Sequence, residues 1–254
     1  MSPYEWGLDA EAVGLVPGLS LAYLLGLRRF PASPPRVAAF FAGQLLILAV
    51  FLTPVQAIAL RYLLTAHLLQ NVVLAEWAPG LCVAGLSPAL AVALGRLRGW
   101  RFLTSPFVAL PIWIAVYFAW HLPWPYDAAL RRPGSLLHLE HVSYFVAGCV
   151  MWWPVLQDAP RRLTSAAKAV YLFVAFVLAS PLGLLLALLP RPLYDVYEHA
   201  PRRLWGLSAI ADQQLAGITM ASEQAIVFFA VFTFFFLRFL REEEPVLQLG
   251  HLRR

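Results

Sequence analysis

The chain has 254 residues, of which 61% are hydrophobic and only 13% are charged. An ordinary soluble domain has about 25% charged residues, so this composition excludes that class and indicates a membrane protein. The formal charge is +5, but the 19 basic residues lie in short connections and form no single patch, which argues against nucleic-acid binding.

The N-terminal segment MSPYEWGLDAEA is acidic, whereas a signal peptide begins with a positively charged region. We therefore expect the first apolar stretch to be retained as a membrane span. Cys82 and Cys149 stand alone in apolar stretches without a CxxC motif, so we expect both to pack in the interior and not to form a disulfide.

Apolar runs separated by arginine and proline clusters predict an all-α, polytopic helix bundle in one membrane domain. A span needs roughly 20 mainly apolar residues, so the chain length suits about seven spans and leaves no room for a soluble domain. The predicted spans are about residues 12–27, 37–60, 62–94, 104–122, 136–156, 169–189 and 214–237.

The third run is too long for one straight span, because about 33 helical residues would extend roughly 50 Å across a hydrocarbon layer of about 30 Å. Pro79 and Gly80 predict a break near residues 76–80, since proline removes a helical hydrogen bond. We therefore expect Tyr62 to Ala75 to form an outer segment, tilted or near the interface, that leads into a deeper span from about Leu81.

The distribution of lysine and arginine predicts the orientation of the chain. With seven spans and the N-terminus outside, thirteen of the 19 basic residues fall in cytoplasmic loops and the C-terminal tail, and six fall outside. The sequence therefore predicts an outer N-terminus and a cytoplasmic C-terminus.

This topology places most of the histidines on one side of the bilayer. His138 and His141 are spaced i, i+3 and would share a helix face. Neutral imidazole is the commonest metal ligand, although histidines are also comfortable at a membrane interface without a metal. The predicted outer set comprises His67, His121, His138, His141 and His199, while His251 lies in the cytoplasmic tail.

The seventh span opens with Asp212, Gln213 and Gln214 and continues to Met220. A thioether is a soft ligand that favours Cu(I), although a single methionine in a helix is also an ordinary core residue. We expect Asp212, the two glutamines and Glu140 to orient imidazoles by hydrogen bonds.

Carboxyl groups within spans are candidates for function, because their burial is costly unless they are paired or hydrated. Glu76, Glu140 and Glu223 qualify, and contacts between helices are the alternative interpretation for each. The sequence contains no glycine-rich phosphate loop and no nucleophile elbow, so we do not expect an enzyme.

A series of motifs resembles the CtaG family of cytochrome c oxidase assembly factors over roughly residues 60 to 225. The series consists of His67-Leu-Leu-Gln-Asn71, Trp120-His-Leu-Pro123, Leu139-Glu-His141, Trp152-Trp-Pro154, Leu193-Tyr-Asp-Val-Tyr197 and Asp212-Gln-Gln-Leu-Ala-Gly-Ile-Thr-Met220. The resemblance implies a seven-helix protein of the bacterial plasma membrane that helps to supply copper to haem-copper oxidases. His67, His121, His141, Asp212 and Met220 match motif positions, whereas His138 and His199 do not.

The chain departs from the family pattern at one place. The family usually carries HMxxHxL in the third span, but Leu68 and Asn71 stand where the methionine and the second histidine are expected. Either the remaining groups hold copper, or this member has lost metal binding and keeps a scaffold role.

The leading hypothesis is therefore a membrane assembly factor that holds Cu(I) at its outer face and passes it to a cytochrome c oxidase subunit. The predicted copper ligands are His67, His121, His138, His141 and Met220. Two alternatives stay open: a haem-binding membrane protein, because histidines from two helices can ligate haem iron, and a structural subunit of the oxidase without metal. A transporter is disfavoured because no repeated halves are visible.

Overall fold

The computed structural model describes residues 2–251, and for residues 244–251 it describes only the backbone. The described residues form α-helices joined by short connections, with two π-helical turns at Val73–Trp77 and Pro133–Leu137 and no strand. The α-helices are α1 Ala10–Leu27, α2 Pro34–Leu52, α3 Pro54–Arg61, α4 Leu64–Val72, α5 Ala78–Gly85, α6 Pro88–Gly95, α7 Arg98–Leu103, α8 Pro106–His121, α9 Pro123–Arg131, α10 His138–Leu156, α11 Ser165–Leu188, α12 Asp195–Glu198 and α13 Ala209–His251.

The predicted all-α membrane architecture is confirmed. Five helical segments are long and apolar enough to cross a bilayer, namely Ala10–Leu27, Pro34–Leu52, Leu64–Gly85, Ser165–Leu188 and Ala209–Glu243. A sixth is obtained if α8 and α9, which meet at a bend of 71°, form one broken span. Helix α10 occupies the fifth predicted span but is not among these candidates, so the number seven stays a prediction.

The third apolar run differs from the expected outer segment followed by a deeper span. Residues Leu64–Gly85 form one candidate span of 22 residues, most of it buried. A π turn at Val73–Trp77 accommodates Pro79 without ending the helix, because the N–H of Ala78 bonds to the carbonyl of Val73. The chain leaves this helix later, where Leu86 takes an extended conformation.

Two tryptophans compensate for the missing hydrogen bonds of the π turn. Pro79 has no N–H, so the carbonyl of Ala75 lacks its usual helical donor. The indole of Trp113 donates to that carbonyl at 3.3 Å, and the indole of Trp152 donates to the carbonyl of Glu76 at 2.8 Å. The irregular backbone is therefore buried within the bundle, where an unpaired carbonyl would be costly.

Close packing of α10 against this helix depends on a glycine. A Cβ atom on Gly148 would lie 2.3 Å from the carbonyl oxygen of Ala75 and 2.7 Å from Cγ of Pro79. A second close approach joins α11 and α13, where a Cβ on Gly217 would lie 2.5 Å from the carbonyl oxygen of Gly183. Small residues at such crossings let helix backbones approach closely, as is typical of membrane bundles.

Segments predicted to share a membrane face contact one another. At one end, Arg161 donates to the carbonyl of Arg101 at 3.2 Å. At the other end, the Gln56 amide donates to Asp9 at 2.9 Å. Which end faces the cytoplasm stays a prediction, and the side chain of His251 and residues 252–254, including Arg253 and Arg254, lie outside the described residues.

Candidate metal centre

Three of the predicted histidines lie near one another in the interior of the bundle. His67 of α4, His121 of α8 and His141 of α10 are each at most 3% exposed. The ring centroids of His67 and His141 lie 6.5 Å apart. Tyr126 of α9 lies between the other two rings, with its centroid 5.1 Å from His67 and 6.1 Å from His121.

The hydrogen bonds of His67 determine which of its ring nitrogens carries the proton. The Tyr197 hydroxyl lies 2.5 Å from the carbonyl of Ala59, to which it donates, and 2.8 Å from Nδ1 of His67. Burial raises the pKa of the Tyr197 hydroxyl, so this group keeps its single proton. Because that proton goes to Ala59, Nδ1 of His67 must donate to Tyr197, and Nε2 is left with a free lone pair.

The same tautomer follows for His121 from the chemistry of its partner. Nδ1 of His121 lies 2.7 Å from the carbonyl oxygen of Tyr117, one turn earlier in α8. A carbonyl can only accept, so Nδ1 carries the proton and Nε2 is free. The backbone of His121 is also held in place, since the Tyr194 hydroxyl donates to its carbonyl at 2.9 Å.

A carboxylate on the first helix holds the third imidazole. Nδ1 of His141 lies 2.8 Å from Oε2 of Glu11, which accepts its proton. Oε1 of the same carboxylate bonds to His138, which is 41% exposed. His138 and His141 do share a helix face, and the partner that they both contact is Glu11.

The three buried rings consequently present the same atom without a partner. Nε2 of His67, of His121 and of His141 is buried and has no hydrogen-bond partner. Imidazoles that bind metals usually donate Nδ1–H to a carboxylate or carbonyl and coordinate through Nε2. The arrangement of donors around these rings is therefore the one that metal ligation requires.

Asn71 and Glu140 complete the polar interior of the cluster. The Asn71 amide donates to Oε1 of Glu140 at 2.9 Å, and that oxygen lies 3.8 Å from Nε2 of His67. Oδ1 of Asn71 and Oε2 of Glu140 are buried without a partner. Five of the unpartnered buried polar atoms among the described residues thus belong to this cluster, which makes it a candidate binding region.

Asp212 has a different partner from the one expected. Its carboxylate accepts the backbone N–H groups of Leu64 at 2.7 Å and Thr65 at 3.1 Å, and the Thr65 hydroxyl at 2.7 Å. It therefore caps the N-terminus of α4, the helix that carries His67, and bonds to no imidazole in the described residues.

The other predicted residues of the seventh span are placed as follows. Gln213 accepts the N–H of Leu193 at 2.6 Å and donates to the carbonyl of Arg191 at 3.1 Å, so it holds the connection before α12. Gln214 is exposed. Met220 is buried, but the hydrogen bonds and ring contacts described for the histidines do not include it, so its role as a ligand stays a prediction.

Removing the Asp212 cap is expected to weaken the fold around His67. Asp212→Ala leaves the buried N–H of Leu64 and the partly buried N–H of Thr65 without an acceptor, which costs about 1–3 kcal/mol. Thermal unfolding in detergent should show a lower midpoint for Asp212→Ala than for Gln214→Ala, a control at an exposed position two residues away. Equal midpoints for the two variants would contradict the capping role.

Sequence reasoning overlooked Glu11 and Tyr197 as partners of the histidines. Glu11 belongs to the acidic N-terminal segment and precedes the predicted first span at residues 12–27, yet it lies in the first turn of α1 and is 8% exposed. Because α1 begins at Ala10, the rule that a carboxyl group within a span is a candidate for function applies to Glu11. Tyr197 lay within a motif, but nothing in the sequence indicated its proximity to His67, 130 residues away.

The donor atoms of these side chains suit metal binding, but the distances between the side chains do not. Within the described residues, no group of three or more His, Cys, Asp or Glu side chains is arranged closely enough to hold a metal ion. The bare Nε2 atoms would have to approach one another to share an ion.

Comparison with known proteins gives one family match. A family model described as cytochrome c oxidase caa3 assembly factor (Caa3_CtaG) matches residues 21–242. No curated protein and no solved structure matches the chain.

Proposed function

The chain belongs to the family of cytochrome c oxidase caa3 assembly factors, and from this membership we propose that it binds Cu(I) at the buried histidines and delivers it to an oxidase subunit. Family membership indicates the process, which is assembly of the oxidase, and the buried histidines supply the groups proposed to bind copper. Cu(I) is the proposed cargo because neutral imidazole suits copper and the described residues form no hard, all-oxygen cage at these rings.

The observation that carries this proposal is the shared tautomer of His67, His121 and His141. Each ring donates through Nδ1 to an oxygen and leaves Nε2 bare in the interior. An unpartnered buried nitrogen is costly, so three of them in one region favour a ligand that accepts their lone pairs. A metal cation is such a ligand.

The separation of two rings supports the same conclusion. Two imidazoles that bind one metal at N–metal distances of about 2 Å have ring centroids roughly 6 Å apart. The centroids of His67 and His141 lie 6.5 Å apart. We propose that a change in the orientation of these two side chains brings both nitrogens to one ion.

Asn71 takes a supporting role where the family usually has a second histidine. Its amide nitrogen donates to Glu140, and this contact holds the Glu140 carboxyl group 3.8 Å from Nε2 of His67. A cation buried in a membrane needs nearby negative charge. We propose that Glu140 and Glu11 supply that charge, so the loss of one imidazole at position 71 does not remove the site.

Glu11 also offers a route for the transfer of copper. It connects the buried His141 with the partly exposed His138 through the two oxygens of one carboxylate. Exchange of the copper ligand from the buried His141 to the partly exposed His138 would move Cu(I) from the interior towards a docked oxidase subunit. His138 is thus proposed as a transfer ligand and the three buried histidines as the storage site.

The direct test is the metal content and Cu(I) affinity of the purified full chain. We expect one tightly bound Cu(I) per chain, measured by elemental analysis and by competition with a chromophoric Cu(I) chelator. Absorbance in the Soret region with stoichiometric haem would instead favour the haem-binding alternative. Co-purification with mature oxidase, with no copper bound after loading, would favour a structural subunit.

A further inference from the structure

A second cluster of buried polar side chains lies where the π turn of residues 73–77 meets α13. Glu76 of the π turn and Glu223 of α13 are 0% and 7% exposed. The indole of Trp77 donates to Oε1 of Glu223, and the amide of Gln224 donates to Oε1 of Glu76 at 3.2 Å. We call Glu76 and Glu223 the carboxyl pair.

Every donor that contacts the carboxyl pair is uncharged. Trp77 and Gln224 supply N–H groups, and the same Gln224 amide also contacts the Tyr117 hydroxyl of α8 at 2.7 Å. Tyr117 is the titratable side chain that this amide joins to the pair, and it carries no positive charge. Within the described residues, neither Glu76 nor Glu223 forms a salt bridge with a lysine, arginine or histidine.

Two oxygens of the carboxyl pair remain without a protein donor. Oε2 of Glu76 and Oε2 of Glu223 are buried and have no hydrogen-bond partner when both groups are treated as acceptors. The two carboxyl groups nevertheless lie at one contact between the π turn and α13, because Trp77, next to Glu76, bonds to Glu223, and Gln224, next to Glu223, bonds to Glu76. Two ionised carboxylates without a cation cannot remain adjacent in a low-dielectric interior, because their repulsion and desolvation are both unfavourable.

We infer that Glu76 and Glu223 form a proton-binding site in the membrane interior, in which the two carboxyl groups share one proton. The proton lies between an oxygen of Glu76 and an oxygen of Glu223, while Trp77 and Gln224 occupy the other oxygens. A metal cation fits less well, since hard cations need about six oxygen ligands. The neighbouring groove is lined mainly by apolar side chains such as Leu81 and Val227.

The position of the carboxyl pair links its protonation to the helix that carries His67. Glu76 lies in the π turn of the helix that begins with the Asp212 cap and carries His67. π turns recur at functional sites, where they allow a helix to adopt more than one local geometry. Loss of the proton would place a second negative charge beside this turn, so the protonation of the pair acts on the same helix as the histidine site.

Infrared spectroscopy of the purified full chain at neutral pH tests the inference. The expected result is a C=O stretching band of a protonated carboxyl group that shifts in D₂O and disappears in the double variant Glu76→Gln/Glu223→Gln. Glutamine keeps the acceptors for Trp77 and Gln224, so the fold should be preserved. Glu140→Gln is the matched control for another buried carboxyl group, and it should leave the band of the pair in place.

Two results would overturn the inference. One is a spectrum of the double variant that is identical to that of the wild type. The other is a band that is lost from the wild type on addition of NaCl, which would indicate a sodium site.

If the double variant does not fold, labelling of the wild-type chain with dicyclohexylcarbodiimide tests the inference instead. A protonated carboxyl group adds its oxygen to the carbodiimide carbon and its proton to nitrogen, and the acyl group then migrates to nitrogen as a stable N-acylurea. A label on Glu76 or Glu223, mapped by mass spectrometry, supports the site, and no label on either overturns it.

Discussion

Replacing His67, His121 or His141 singly by alanine is expected to lower the affinity of the chain for Cu(I) by at least about 100-fold. Each substitution removes one bare Nε2 from the cluster, and the remaining two imidazoles cannot replace it. Competition with a chromophoric Cu(I) chelator measures the affinity. His199→Ala is the matched control, because His199 is 73% exposed and, among the described residues, pairs with Asp195 of the adjoining helix α12.

Replacing Glu11 is expected to lower the Cu(I) affinity less than replacing a histidine, because Glu11 acts through the imidazoles that it holds. Glu11→Gln keeps the shape of the side chain but removes the charge that holds His138 and His141, and we expect a loss of about 10- to 100-fold in Cu(I) affinity. Wild-type affinity in all three histidine variants would remove the cluster as the copper site. If Glu11→Gln binds Cu(I) with wild-type affinity while the histidine variants do not, only the positioning role of Glu11 is contradicted.

Gly148→Ala is expected to cause the largest loss of stability in the chain. The new Cβ would lie 2.3 Å from the carbonyl oxygen of Ala75, so α10 must move away from the helix of residues 64–85. Ordinary overpacking costs about 1–3 kcal/mol, and a clash with backbone costs more. We expect a strongly lowered unfolding midpoint in detergent together with a poor yield of folded protein.

The control for Gly148→Ala is the same substitution at Gly18 in α1. A Cβ at Gly18 meets nothing within 4 Å, and alanine favours a helix over glycine by about 1 kcal/mol. Gly18→Ala should therefore unfold at or above the wild-type midpoint. Similar midpoints for Gly148→Ala and the wild type would contradict the close helix crossing.

Local patterns in the sequence were enough to predict the class of the fold. Apolar runs of about 20 residues have one stable outcome in a membrane, because every backbone group must bond within its own helix. For the same reason the positions of α1, α2, α8, α10, α11 and α13 follow from composition. The π turn at residues 73–77 was harder to predict, since Pro79 signals a break equally well whether neighbouring indoles compensate for it or not.

The membrane class, the longer apolar helices and the family were therefore determined by the sequence alone, because apolar length and motif order are properties of the chain itself. Only the tertiary structure decided that His67, His121 and His141 lie near one another while His138 remains at the surface. It also decided that Asp212 caps a helix and that Glu11 holds an imidazole. These outcomes depend on how helices rotate and approach one another, which is set by contacts such as Gly148 against Ala75 between residues distant in sequence.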